Sequence, residues 1–113
     1  MNDKVLSALG LAKKAGKLTV GTNLVSTFIR NDSAPSLVIL ACDASNNTKK
    51  LIESASRHHK VRCVRTAYTM DELSTAIGAS YYISCIAVLD RGFGEMIYNH
   101  LKESDNHLSL QEV

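Results

Sequence analysis

Leu37-Val38-Ile39-Leu40-Ala41-Cys42 is an unbroken apolar run of strand length. No polar residue alternates along it, so both faces are apolar. A strand of that kind sits in the middle of a sheet and is covered from both sides. The chain before it, residues 31–36, holds the only proline and reads as a loop. The chain after it, Asp43-Ala44-Ser45-Asn46-Asn47, is a polar turn with several helix-capping candidates.

Working outward, the same two patterns alternate. Val5, Leu6, Ala8, Leu9 and Ala12 recur at helical spacing behind Asn2 or Asp3 as cap, and Gly16 ends that helix. Leu18-Thr19-Val20 is a short strand. Thr22 or Asn23 opens a second helix with Val25, Phe28 and Ile29 on its inner face. Beyond the central run, Leu51, Ile52 and Ala55 mark a third helix and Val61-Arg62-Cys63-Val64-Arg65 a third strand. Thr69-Met70-Asp71-Glu72 has the capping-box spacing and starts a short helix that Gly78 ends. Ile83-Ser84-Cys85-Ile86-Ala87-Val88-Leu89 is a second strongly apolar strand. Asp90 caps a last helix with Phe93, Ile97 and Leu101 inside. The order αβαβαβαβα predicts an α/β fold: a three-layer α/β/α sandwich around a mixed, mostly parallel four-stranded sheet. Residues 1–103 form one domain, and 104–113 are expected to be a polar, frayed tail.

The 113 residues, 45% hydrophobic and 21% charged, suffice for one core and exclude a multidomain enzyme or a disordered chain. No apolar stretch approaches the roughly 20 residues of a membrane span. The first residues lack a signal-peptide pattern, so a cytoplasmic location is expected, without membrane attachment. Three scattered cysteines make no disulfide framework. The net charge of +2 conceals a split. Residues 1–65 carry eleven Lys/Arg and four Asp/Glu, whereas residues 66–113 carry two and seven, giving +7 and −5. Such asymmetry suggests a basic face for an anionic partner, unless folding mixes the two halves.

Enzyme and cofactor signatures are missing. GxxxxGK[ST] and GxGxxG do not occur, and Gly92-Phe93-Gly94 is a fragment of neither. CxxC and HxxxH spacings are absent, so no metal is expected, nor any cofactor. Cys42, Cys63 and Cys85 fall in predicted strands and read as buried apolar fillers. A hydrolase built on Cys42 or Asp43 would need a base that the sequence does not pair with them, and His58-His59 lie at a helix end. The stretch Lys13-Lys14-Ala15-Gly16-Lys17-Leu18-Thr19-Val20-Gly21-Thr22-Asn23 remains. Its second half opens a helix, whose unpaired N–H groups and positive dipole end suit phosphate. Plain capping by Thr22 or Asn23, with solvated lysines, is the competing reading.

Leu9-Gly10-Leu11-Ala12-Lys13-Lys14-Ala15-Gly16-Lys17-Leu18, then Gly21-Thr22-Asn23, then Leu37 to Ser45, then Glu72-Leu73 with Ala76-Ile77-Gly78, together resemble the L7Ae/L30e ribosomal-protein family. The resemblance covers about residues 3 to 102 in order, and is most like the small stand-alone bacterial YlxQ-like members. It implies a non-enzymatic protein that binds kink-turn RNA, a duplex sharply bent at a bulge beside tandem G·A pairs. By position, Gly21, Thr22 and Asn23 would be the entering tip, with Asn23 on guanine edges. Lys13, Lys14 and Lys17 would meet phosphates. Asp43 and Ala44 would line a neighbouring loop, and Ile77, Gly78, Ala79 and Ser80, adjoining Tyr81, would cover the looped-out nucleotide. Two positions depart from the family: Leu24 stands where many members have Glu, and Thr27 where Lys is frequent. The expected partner is structured RNA, ribosomal RNA included, bound by a monomer. A protein-interaction module that kept the fold but lost RNA specificity is the alternative, and the acidic last helix and Tyr81-Tyr82 could meet its partner.

Overall fold

Local capping fixes most helix starts in the computed structural model, which describes residues 3–31, 35–104 and 111–112. The Asp3 carboxylate accepts from the Leu6 N–H at 3.0 Å and opens α1 (Lys4–Lys14). Ser45 accepts from the Thr48 N–H and opens α3 (Asn46–His58). Thr69 and Glu72 form the reciprocal capping box of α4 (Met70–Ile77), and Asp90 accepts from the Phe93 N–H before α5 (Arg91–Ser104). The remaining helix, α2 (Thr22–Arg30), starts differently, as described below.

The strands are β1 (Leu18–Val20), β2 (Leu37–Leu40), β3 (Cys63–Arg65), β4 (Cys85–Val88) and β5 (Gln111–Glu112), in the spatial order β1-β4-β2-β3-β5. β2 is central and fully buried, as its composition requires. Its alternate residues face different helices. Leu37 and Ile39 pack with Val64, Ile86 and Val88 against α1, α4 and α5, whereas Val38 and Leu40 pack with Cys63, Cys85 and Ala87 against α2 and α3. The result is the expected three-layer α/β/α sandwich, with helices on both faces of a mixed sheet. Among the described residues no helix is long and apolar enough to cross a membrane.

Two sheet expectations need correction. β1, β2 and β3 point the same way, but β4 inserts between β1 and β2 and runs against both, so β2–β3 is the parallel ladder and the other described ladders are antiparallel. The reason is the path of the chain after α4 (Met70–Ile77). The loop that follows it returns the chain to the end of the sheet that β3 had just left, and β4 must run back. The tail, expected to fray, supplies β5, which pairs with Val64 and Arg65 at the open edge of β3 and satisfies backbone groups there. Residues 105–110 of that tail lie outside the described residues.

This topology gives the sheet two distinct ends. At the upper end β1, β2 and β3 finish and β4 begins, with Val20 opposite Ile86, and Leu40 beside both Cys85 and Arg65. At the lower end the Leu89 N–H donates to Lys17 O, the Ser36 N–H to Val88 O, and the Val38 N–H to Arg62 O. α1 is anchored at the upper end, where the Tyr68 hydroxyl donates to the Asp3 carboxylate. Close approach closes the lower end: a Cβ on Gly94 of α5 would collide with Ser36 Oγ, which itself donates to Val88 O and Asp90 O.

Glu53 of α3 is buried and forms a two-pronged ion pair with Arg65, whose Nε donates to Oε2 and Nη2 to Oε1. Arg65 is therefore not the plainly solvated surface base that a strand-edge arginine suggests. Hydrogen bonding to Arg65, with that cation's charge, holds the Glu53 carboxyl below its ordinary 4.5, against the opposing effect of burial. The sign follows from linkage: a depressed folded value stabilises above the ordinary range, and that stability is lost as pH falls through the folded value. Thermal unfolding followed from pH 7 to pH 3 should show Glu53→Gln less stable at neutrality, with a flatter acid limb. Parallel curves for the two proteins would remove the pair from the acid response.

Candidate nucleic-acid interface

The four loops of the upper end converge around the start of α2. Its N-cap is Gly21, at φ 92° and ψ 150°, a backbone region open essentially to glycine. The Gly21 N–H donates to Cys85 O at 3.1 Å, tying the turn to β4. No side chain caps the helix. The competing reading of plain capping by Thr22 or Asn23 is thus overturned, because both residues already lie inside the helix. The N–H groups of the first turn are left facing outward with the positive end of the helix dipole.

The side chains divide the work. Thr22 Oγ1 lies 3.3 Å from Thr48 Oγ1 and 3.3 Å from Ser84 Oγ, and Ser45 Oγ donates to Thr48 Oγ1 at 3.1 Å. This hydroxyl chain stitches α2 to α3 and β4. Asn23 is exposed, its carbonyl takes the Thr27 hydroxyl at 2.9 Å, and its side-chain amide has no partner among the described residues. Leu24 is 56% exposed, so it does not widen the buried stripe of α2; it stands in water beside Asn23.

The next loop, residues 41–45, is largely structural. Asp43 Oδ1 accepts from the Met70 N–H at 2.8 Å, fixing the loop to the start of α4, and Ala44 is buried in the core. Lys49 reaches back, its Nζ donating to Cys42 O at 2.9 Å. Cys42 lies past the end of β2 and is exposed, contrary to the expectation that all three thiols are core fillers.

In the α4–β4 loop, Ile77 is buried and Gly78, in the left-handed region, ends the helix. Ala79 is half-buried and Ser80 exposed. Ser74 Oγ contacts both Ala79 O and Tyr81 O, holding the loop against α4. Between loop and helix lies an open groove of about 460 Å³ lined by Asp71, Ser74, Thr75, Ser80, Tyr81 and Tyr82. Tyr81 and Tyr82 are 61% and 70% exposed.

Gly21, Thr22, Asn23, Leu24, Thr27, Asp43, Ala44 and residues 77–80 thus gather at or just behind the upper end. Lys13, Lys14 and Lys17 do not. The first two end α1, whose other terminus is pinned to Tyr68, and Lys17 precedes β1, the strand that Gly21 follows. Sequence reading also missed Thr48, Ser74 and Ser84. Ser45 and Thr48 carried a signal in their capping spacing, but Ser84 read as strand interior and Ser74 as an ordinary helix residue. Cys42 is not paired with His58 or His59, because α3, about 20 Å long, separates them.

Residues 3–97 match the model of the ribosomal protein L7Ae/L30e/S12e/Gadd45 family. The chain belongs to that family. It is 35% identical over 92 residues, 81% of this chain and 85% of the relative, to the RNA-binding protein YlxQ of Enterococcus faecium. A solved Bacillus halodurans C protein of unknown function superimposes with a TM-score of 0.82 at 31% identity, covering 89% of this chain and 99% of that one. The Giardia lamblia 15.5kD RNA binding protein shares the fold, with a TM-score of 0.69 at 15% identity over 91% of this chain and 89% of that one. The L7Ae/L30e resemblance and its three-layer fold are therefore established for this chain.

The thiols of this family member give a direct check of the upper end. Burial pushes Cys63 up to about 12 and Cys85 up to about 11, so both stay protonated and shielded. Iodoacetamide on the folded protein should modify Cys42 alone, with Cys63 and Cys85 reacting only after denaturation. Equal native labelling of all three, read by mass spectrometry, would contradict the burial described.

Proposed function

We propose that this chain binds structured RNA through its upper end and holds a kink-turn-type bend, without catalysing a reaction. The observation that carries the reading is the uncapped, glycine-started N-terminus of α2 beside the unpartnered Asn23 amide. Family membership and the RNA-binding name of its YlxQ relative support it.

An A-form duplex hides its base edges in a deep, narrow groove. A sharp bend at a bulge opens that groove, and a helix tip without a bulky cap can enter. The N–H groups of the first turn of α2 then face phosphate or base acceptors, and Asn23 offers donor and acceptor together to a purine edge. The unpaired nucleotide of the bulge has a receiving surface in the groove beside Tyr81 and Tyr82, where a base can stack. Binding energy is spent on holding the bend, and no group at the site needs to move a proton. Ribosomal RNA fits as one source of such a bend, and cosedimentation with ribosomal particles tests that narrower point.

Titration of a kink-turn hairpin against a matched duplex lacking the bulge decides the reading, with the hairpin bound more tightly. Equal affinities would sink the claim of bend recognition. In the same titration Asn23→Ala should cost about 1–3 kcal/mol. A loss within error would take Asn23 out of the site. Leu24→Glu supplies the acceptor many family members carry and should sharpen preference for the hairpin with its G·A pairs intact.

One observation favours the second reading, a protein partner: Leu24 presents an apolar side chain to water at the tip itself. Pull-down from nuclease-treated lysate separates the two, because a protein docked on Leu24 survives nuclease and is lost in Leu24→Ser.

A further inference from the structure

The strongest unassigned feature is the charge at the lower end of the sheet. Every chain segment that turns there contributes a cation. Lys13 and Lys14 close α1, Lys17 precedes β1, Arg30 closes α2, Lys60 follows α3, and Arg91 starts α5. All six are exposed, and none pairs with a carboxylate among the described residues. Arg62 stands there too, engaged over the Tyr98 ring at 4.1 Å. Among the described residues the acids on that side are Asp90, half-buried with one oxygen on the Phe93 N–H, and Glu95, one turn further along α5. The upper end is different: Asp3, Asp43, Asp71 and Glu72 offset Lys4, Lys49 and Lys50. The charge excess of the first half of the chain therefore collects at the end away from the α2 tip.

We infer that this lower end is a second, sequence-independent surface for the phosphate backbone of RNA, so that one molecule can hold two RNA segments at opposite ends. The four strands β1-β4-β2-β3 make that end roughly 14 Å wide before the flanking helices are counted. A nucleic-acid duplex presents about one phosphate charge per 1.7 Å of axis, which is enough to oppose every cation there. Among the described residues the cations there have no exposed aromatic anchor, and Leu11, one turn back from Lys14, is the exposed large apolar residue on that side. A specific protein interface centres on buried apolar or aromatic anchors, and a membrane-surface site needs an apolar face. Spaced cations with little apolar surface fit a phosphate backbone better than either.

The two-segment part rests on the proposed RNA binding at the α2 tip, whereas duplex binding at the lower end stands without it. The probe is plain RNA duplex, fixed to beads, and the variant is Arg30→Gln with Lys60→Gln and Arg91→Gln, all exposed and remote from the α2 tip. At about 50 mM salt the variant should bind duplex roughly ten- to a hundredfold more weakly, with a salt dependence shallower by roughly 2–3 in log–log slope. Its affinity for a short kink-turn hairpin should be unchanged. Wild-type protein should also retain a labelled hairpin on the duplex beads, and the variant should not. Duplex binding or hairpin retention unaffected by the triple substitution would overturn the proposal. So would displacement of the hairpin by duplex, or wild-type protein binding anionic vesicles but not duplex. Failure of the bend-recognition reading shows elsewhere, as equal binding of hairpins with and without the bulge.

Discussion

Leu37, Val38, Ile39 and Leu40 have no access to water on either side, and the rest of the molecule is arranged to keep them so. A strand apolar on both faces leaves its sheet no solvent side. It needs a helical layer above and another below, and the chain supplies α1, α4 and α5 on one face and α2 and α3 on the other. It also needs a strand on each edge, and β4 and β3 fill those places. Burial of this segment is thus the constraint from which the three layers follow.

The interface is a consequence of the same arrangement. With β1, β2 and β3 pointing one way and β4 entering between them, their loops must meet at one end. The start of α2 is held there by contacts that lead back to the sheet: Gly21 to Cys85, and Thr22 to Ser84 and Thr48. A helix tip used for recognition has to be open, because a capping side chain would occupy the donors it offers. Gly21 meets that condition by making the turn without a side chain. The neighbouring helices α1, α3, α4 and α5 have no such task, and each is closed by Asp, Ser or Thr.

Charge behaves differently from hydrophobicity in how far it can be read. The split of +7 and −5 between the two parts of the sequence is real, and it pointed to an anionic partner. It did not say where. The lysines that precede Gly21 by a few residues look adjacent to it, but a strand runs between Lys17 and Gly21 and carries them to opposite ends of the sheet. Neighbours along an extended chain part at roughly 3.3 Å per residue, so closeness in sequence is a poor guide once a strand intervenes.

Element types, their order and nearly all the helix caps were legible in the sequence, because they rest on interactions within about four residues. Apolar side chains at helical or strand spacing mark a face, and Asp3, Thr69 with Glu72, Gly78 and Asp90 act on backbone groups within three residues of themselves. The tertiary structure alone decided that β4 runs against its neighbours, that Cys42 leaves the core, that Arg65 is claimed by Glu53, that β5 joins the edge of β3, and that the cations gather away from the tip. It also decided that α2 starts on Gly21, uncapped, with Thr22 already inside the helix and its hydroxyl beside Ser84, 62 residues away. Those outcomes depend on which distant segments are brought together by burying β2, and local spacing carries no record of that.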